Sequence, residues 1–268
     1  MSSHDALFAE HHTRINALVA RFQGHQGVDR PCLLHWLSQF ESEHVPLALR
    51  ILANTNYFTR GNVAVLCRQV VELAVTSMDP VARSRILFVL AGRIWEGNAV
   101  VARALRHRDI VSSAQIAEFT SLSRMRRGEW EAVVLLKDFA GTGTQLSKWW
   151  RDTGEPLVLP LEAQIIIGVP VLHYRARERL AELGLSVISA LDLHEGDDIF
   201  HTQSALLSEE ERQIVLQYCG RTGASTEFVR GYGQSGLLVA FDHGCPNNSI
   251  PLLWHDSDSW SALFRRHA

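Results

Sequence analysis

The stretch that decides the fold is VVLLKDFAGTGTQLSKWW, residues 133–150. An unbroken apolar run ends near Leu136, two charged residues follow, and a glycine- and threonine-rich segment leads into a helical pattern. Such apolar runs are typical of strands that are buried on both faces, as in a parallel sheet. The stretch therefore predicts a strand, a tight turn and a helix, in that order.

The turn has the composition of an anion-binding loop. Gly141 and Gly143 allow the backbone to fold closely with its N–H groups pointing inward, and the following helix adds unpaired N–H groups and the positive end of its dipole. Thr142 and Thr144 add hydroxyl donors. Helix capping is the neutral explanation, because residues 142–145 also fit a capping box. The turn is neither a Walker A loop nor a GxGxxG loop.

Four further apolar runs resemble the one before the turn, and amphipathic segments lie between them. The runs are RILFVLAG (85–92), QIIIGVPVL (164–172), LSVISAL (185–191) and GLLVAF (236–241). Strands that alternate with helices predict an α/β fold with a mainly parallel sheet flanked by helices. Ligands of such sheets bind beyond the carboxyl ends of the strands, where the turn is expected.

The chain before residue 80 has only helical patterns, in which apolar residues recur with the 3.6-residue spacing. We therefore predict a helical N-terminal subdomain over residues 1–80 and the α/β domain over residues 81–268. A turn at residues 54–61 fits either a DNA-reading helix-turn-helix or plain helix packing. Plain packing is favoured, because no basic second helix follows.

Composition excludes several classes of protein. With 268 residues and 46% apolar content, the chain is long enough for one large domain, or a main domain with a smaller one, and disorder is not expected. A formal charge of −3 gives no general attraction for nucleic acid. The four cysteines form no CxxC pair, and no apolar run approaches 18 residues. We predict a cytoplasmic protein with no membrane association.

The opening stretch resembles the phosphoribosyl-diphosphate signature of type I phosphoribosyltransferases (PRTases). That signature has four apolar residues, an acidic pair, three further residues and then Thr-Gly, and here it reads VVLL-KD-FAG-TG. The resemblance implies that Asp138 holds the ribose hydroxyls beside a magnesium ion, whereas Lys137 stands at the position of the first acid. It also implies a cradle for the 5′-phosphate made by Gly141, Thr142, Gly143, Thr144 and Gln145.

Two more segments extend the resemblance to residues 30–268. Residues 85–106 are similar to the strand, loop and helix that supply a diphosphate-binding loop, which implies a role for Ala91, Gly92 and Arg93. The tail GLLVAFDHGCPNNSIPLLW (236–254) resembles a divergent PRTase-like branch found in bacterial conflict systems. That branch includes effectors of antiphage systems, some of them retrons, which implies a reverse transcriptase with its RNA or DNA and a winged-helix protein as partners.

Three functional classes stay open at this stage. An enzyme would transfer a phosphoribosyl group or cleave an N-glycosidic bond of a phosphorylated ribose or nucleotide. A non-catalytic module would sense a nucleotide or dock in a larger assembly, which Lys137 favours because an ammonium suits a phosphate better than a metal-bound ribose. An inert scaffold is the third class. We favour the enzyme, with Asp192 or Asp197 as candidates to replace the missing acid.

Overall fold

The computed structural model of the protein describes residues 3–25, 27–90 and 111–265. The strands are β1 (Asn56–Phe58), β2 (Ile86–Leu90), β3 (Ile116–Ala117), β4 (Ala132–Leu136), β5 (Phe139–Ala140), β6 (Gln164–His173), β7 (Ser186–Leu193) and β8 (Val239–Phe241). The helices are α1 (Ser3–Glu10), α2 (His12–Phe22), α3 (Arg30–Ser38), α4 (Val45–Ala53), α5 (Arg60–Thr76), α6 (Thr144–Trp149), α7 (Glu155–Val158), α8 (Tyr174–Ala181), α9 (Glu209–Arg221) and α10 (Pro251–Trp254). In the described part of the chain, no helix is both long and apolar enough to cross a membrane.

Contacts within the chain separate two compact units. One unit comprises residues 61–194, and the other comprises residues 1–60 together with residues 195–268. The predicted boundary at residue 80 does not coincide with this grouping, because α5 packs on the sheet of the first unit while the C-terminal segment packs with the N-terminal helices.

The unit of residues 61–194 is built on a parallel sheet of six strands among the described residues. The order is β3-β2-β4-β6, with β7 on the other edge of β6. β5 follows β4 along the same edge of β6 and in the same register, since Leu136 pairs with Gly168 and Phe139 with Val171. β4 ends at Leu136, as the sequence predicts, and a second short strand, β5, resumes the pairing with β6 at Phe139 and Ala140.

Both faces of this sheet are covered by helices, as parallel sheets require. On one face, apolar residues of the central strands pack with residues of α6, α7 and α8, among them Leu146, Val158 and Leu180. On the other face α5 lies against β6: a Cβ placed on Gly168 would lie 2.9 Å from Val70 Cγ1. Glycine at position 168 therefore allows the close approach of α5. The predicted α/β fold, with a mainly parallel sheet flanked by helices and a helical N-terminal part, is confirmed.

The other unit contains helices α1–α4, α9 and α10 and a small sheet of β1 and β8. Its core is rich in aromatic side chains, and the indole N–H groups of Trp36 and Trp260 both donate to the carbonyl oxygen of Leu252, at 2.9 and 3.1 Å. The run GLLVAF was expected in the main sheet, but its strand β8 pairs with β1. β1 lies inside the turn at residues 54–61, so a short strand stands where a helix-turn-helix was considered.

Candidate functional site

The candidate site is the loop between β5 and α6, which we call the glycine-threonine loop (residues 141–144). β5 ends at Ala140 and α6 begins at Thr144, so only three residues connect them. The loop lies at the carboxyl end of the strand line formed by β4 and β5, as the sequence predicts. β5 pairs with β6 up to Ala140, and Gly143 lies against Ala176 of α8, so the loop lies beside the junction of β6 and α8.

Gly143 is required in the loop for two separate reasons. Its φ is +72°, in the left-handed region where a side chain is strained. In addition, a Cβ at this position would lie 3.0 Å from Ala176 Cα and 3.2 Å from Ala176 Cβ on α8. The backbone of the loop therefore rests directly on α8, and any larger residue would push the two apart.

The two threonine hydroxyls of the loop bond to each other and to an arginine. Thr142 Oγ1 and Thr144 Oγ1 are 3.1 Å apart, and the Arg179 guanidinium of α8 donates a hydrogen bond to Thr144 Oγ1. Thr142 is buried, with 8% of its surface exposed. The hydroxyls and the cation thus form one connected polar group inside the loop.

Helix capping does not account for these hydroxyls. The N-cap residue of α6 is Gly143, and no side chain forms a capping hydrogen bond there. The capping box that residues 142–145 fit in sequence is therefore not formed. Gln145, expected in the phosphate cradle, is the first exposed residue after the loop. The donors of Thr142 and Thr144 serve the loop itself rather than the end of the helix.

Lys137 and Asp138 form an ion pair at the pause between β4 and β5. Lys137 Nζ lies 2.7 Å from Asp138 Oδ1, and the two side chains are only 20% and 15% exposed. The Asp138 carboxylate also acts on Cys67 of α5. Burial raises the pKa of this thiol to about 12, and the negative charge of Asp138 contributes to the shift. The lysine that replaces the expected first acid therefore neutralises the second.

These residues do not fit a magnesium ion. Magnesium binds through oxygen ligands, and an ammonium already occupies the near side of the Asp138 carboxylate. Within the described residues, the one group of three side chains able to surround a metal is Glu41, Glu43 and His44, which belongs to the other unit. We therefore assign no chemical step to a metal at this loop.

His173 is a buried polar residue beside the loop that the sequence analysis missed. It ends β6, in line with Gly141, since the preceding residues Leu172 and Ala140 are paired. The side chain is fully buried, and neither ring nitrogen forms a hydrogen bond of good geometry to a described residue, although the Gly141 backbone lies beside the ring. Burial, together with the charge of Arg175, lowers the pKa of His173 to about 4, although the Gly141 backbone opposes this shift. The imidazole is therefore neutral near pH 7.

The neighbouring acid Asp192 is already engaged. Arg177 Nη2 lies 2.7 and 2.9 Å from its two carboxylate oxygens, and the Ser189 hydroxyl donates to it as well. Burial opposes ionisation, but these hydrogen bonds lower the pKa of Asp192 below its ordinary value. Asp192 is thus paired with Arg177, and Asp197 belongs to the other unit, so the replacement of the missing acid by either residue stays a prediction.

The remaining predicted site residues, Ala91, Gly92 and Arg93, lie outside the described residues, so the expected diphosphate loop stays a prediction. Arg179, like His173, was missed by the sequence analysis. One signal was present: Arg179 follows Ala176 by three positions, so both occupy one face of the helix after β6.

A surface groove of about 880 Å³ lies in the other unit, between α2, α4 and α9. Two of its arginines are already engaged. Arg21 donates to the carbonyl oxygens of Ala53 and Thr55, and Arg50 forms an ion pair with Glu211. Its mixed charges and mainly apolar lining do not favour a phosphate.

The parallel sheet with a glycine-threonine loop at its carboxyl edge defines a PRTase-like α/β domain. The model of the PRTase-CE family matches residues 33–266, and the chain belongs to that family. The predicted recognition of a divergent PRTase-like domain is thus confirmed. Among solved structures, the chain is similar to Mycobacterium tuberculosis H37Rv orotate phosphoribosyltransferase in complex with inorganic phosphate. That similarity has 18% identity and a TM-score of 0.30, over 49% of this chain and 70% of the other. No curated protein matches the chain.

Proposed function

We propose that the chain binds the phosphate group of a phosphorylated ribose or nucleotide in its glycine-threonine loop. The observation that supports this most is the hydroxyl pair of Thr142 and Thr144, which is bonded to Arg179 and not used as a helix cap. Hydroxyl donors beside an arginine are chemically suited to phosphate oxygens.

The proposed chemistry is glycosyl or phosphoribosyl transfer, or cleavage of an N-glycosidic bond. The bond between the anomeric carbon and its leaving group, a diphosphate or a base, breaks, and the electron pair departs with the leaving group. A nucleophile, either an acceptor base or water, forms the new bond to that carbon and loses a proton, which passes to the leaving group or to solvent. The sugar carries positive charge in the transition state, and the Asp138 carboxylate is the group in this region that stabilises such charge.

A second candidate is a module that binds its ligand without turning it over. The ion pair between Lys137 and Asp138 favours it, because a carboxylate that is already neutralised stabilises a positive sugar less. In this function the loop still holds the phosphate, and the chain acts as a nucleotide sensor or docking module.

Calorimetric titration with phosphoribosyl diphosphate and with AMP tests the shared binding step. The double variant Thr142→Ala/Gly143→Ala should weaken binding by at least about tenfold, or 1.4 kcal/mol. The matched control is Thr120→Ala/Gly128→Ala, at exposed positions where Gly128 also has a positive φ, of 71°. Equal affinities of the two double variants, or no binding by the wild type, would contradict the proposal.

Turnover separates the two candidate functions. Release of diphosphate from phosphoribosyl diphosphate, or of free base from nucleotides, is expected for the enzyme. Asp138→Asn should abolish that release while phosphate binding persists. Binding with no release under any of these conditions would leave the sensor as the function of the site.

The wider role is part of the same proposal and is supported by the family resemblance. In it, the chain is a cytoplasmic effector of an antiphage system, held in check by partners such as a reverse transcriptase with its RNA or DNA and a winged-helix protein. Cells that express the chain alone should then grow more slowly than cells that express the Asp138→Asn variant. Equal growth at equal expression would count against a toxic effector.

A further inference from the structure

We infer that Arg179 is a positioning residue of the glycine-threonine loop: through Thr144 it strengthens the loop's hydroxyl pair as a hydrogen-bond donor to a bound phosphate. This inference rests on the proposed phosphate binding, and it names a side chain that increases the affinity of the loop for phosphate. Arg179 belongs to α8, outside the loop, and it reaches the loop at Thr144 Oγ1.

The hydrogen-bond count of the pair leaves one donor. Two threonine hydroxyls have two hydrogens and four lone pairs between them. Arg179 occupies one lone pair, and the bond between Thr142 and Thr144 uses one hydrogen and one lone pair. Whichever threonine donates in that bond, one hydroxyl hydrogen remains that no described residue accepts. Since the arginine can only donate, it cannot take up this hydrogen, which is free to bond to an acceptor such as a phosphate oxygen.

The charge of Arg179 strengthens that remaining donor. Hydrogen bonds from an ionised group are stronger than neutral ones, and linked hydrogen bonds polarise one another in a buried setting. The pair lies in such a setting, with Thr142 buried and Thr144 half-buried. A ligand group that offers lone pairs and negative charge is therefore favoured over one that only donates.

α8 is fixed in a way that holds Arg179 in place. On one side, Ala176 lies against Gly143 of the loop. On the other side, Arg177 bonds to Asp192 and to the carbonyl oxygen of Val187 on β7. With the helix anchored at Ala176 and at Arg177, the backbone of Arg179 is held within reach of Thr144, which is what a positioning role requires.

The inference is tested by a double-mutant cycle on the affinity for phosphoribosyl diphosphate and AMP. Arg179→Met keeps the aliphatic part of the side chain and should weaken binding about tenfold, as loss of a charged hydrogen bond would. In a Thr144→Val background the same change should cost less than about threefold, because the route through Thr144 is already cut. Lys148→Met removes an equal charge from an exposed position on α6 and is the matched control.

A conservative pair of variants tests the route without changing Arg179. Thr144→Ser keeps the hydroxyl and should bind nearly as well as the wild type, whereas Thr144→Val should lose about tenfold. Thermal unfolding without ligand verifies that each variant is folded. This pair remains informative if Arg179→Met does not fold.

The outcomes distinguish the inference from the function on which it rests. An Arg179→Met variant that binds as well as Lys148→Met would overturn the inference. Equal costs of Arg179→Met in the wild-type and Thr144→Val backgrounds would overturn it as well, because they would indicate direct contact of the arginine with the ligand. Equal affinities of Thr144→Ser and Thr144→Val would overturn it too. Absence of binding by the wild type would instead refute the proposed function.

Discussion

Two strand-to-helix turns of this chain differ in what completes them. Where β1 leads into α5, the Asp242 carboxylate accepts the backbone N–H of Arg60 at 2.7 Å and the hydroxyl of Tyr57. Where β5 leads into α6, no side chain caps the helix, and the loop holds hydroxyls and the cation of Arg179.

The difference separates a structural turn from a functional one. At the first turn the anion is a side chain of the protein, Asp242, so these hydrogen bonds stabilise the fold whether or not a ligand is present. The glycine-threonine loop has a donor to spare, and we propose that a ligand phosphate completes it. Substitutions at the first turn should therefore change stability, and substitutions at the second should change mainly binding.

The largest effect on stability is expected at the turn between β1 and α5, which Asp242 completes. Asp242→Ala removes an acceptor of two hydrogen bonds and should lower the free energy of unfolding by about 3 kcal/mol. Affinity for phosphoribosyl diphosphate should not change in the folded variant. Urea unfolding checks the first expectation, with the exposed Asp258→Ala as control. A loss at Asp242 no greater than at Asp258 would break the comparison.

The histidine beside the loop should make stability sensitive to acid. The pKa of His173 falls from 6.5 to about 4 on folding, so the unfolded chain binds a proton more readily between these pH values. Stability is then complete above about pH 6.5 and decreases by up to about 3 kcal/mol as the pH falls through 4. In His173→Gln this contribution should be missing. If the free energies of unfolding of the wild type and of His173→Gln changed equally with pH, the lowered pKa of His173 would be contradicted.

Two glycines with similar φ values separate strain from close approach. Gly143→Ala and Gly128→Ala both place a side chain at a φ near +70°, which costs about 1 kcal/mol. Only Gly143 meets a neighbour, Ala176, whereas a Cβ at Gly128 meets nothing within 4 Å. Gly143→Ala should therefore be less stable by about a further 1–2 kcal/mol, as overpacking predicts. Equal losses would indicate that α8 yields without cost.

The smallest effect concerns magnesium. Because Lys137 neutralises Asp138, the affinity of the wild type for phosphoribosyl diphosphate should change less than about threefold between magnesium and a chelator. Lys137→Asp restores an acidic pair and should make binding depend on magnesium, while Lys148→Asp, the same charge change on an exposed residue, should not. A strong magnesium dependence of the wild type would show that the ion pair opens.

The sequence predicted the local features of this site well. The runs around Phe88, Val134 and Ile167 form parallel strands, and the glycine-threonine turn follows its strand directly. Apolar runs and glycines act over a few residues, so a sequence pattern reveals them.

Features that depend on distant partners escaped the sequence analysis. Strand pairing resumes at Phe139 because β6 continues alongside, and β8 pairs with β1, which precedes it by about 180 residues. The roles of Arg179 and His173 arise only when α8 and β6 are brought to the loop. The replacement at Lys137 was visible in sequence, but its ion pair with Asp138 required the folded chain.

A crystal structure of the complex with phosphoribosyl diphosphate tests the central claim most directly. We predict that the 5′-phosphate lies in the glycine-threonine loop, with an oxygen within about 3 Å of the Thr142 or Thr144 hydroxyl. Arg179 should keep its hydrogen bond to Thr144 in that complex. A phosphate bound elsewhere on the protein, with the loop hydroxyls making no contact to it, would contradict the account.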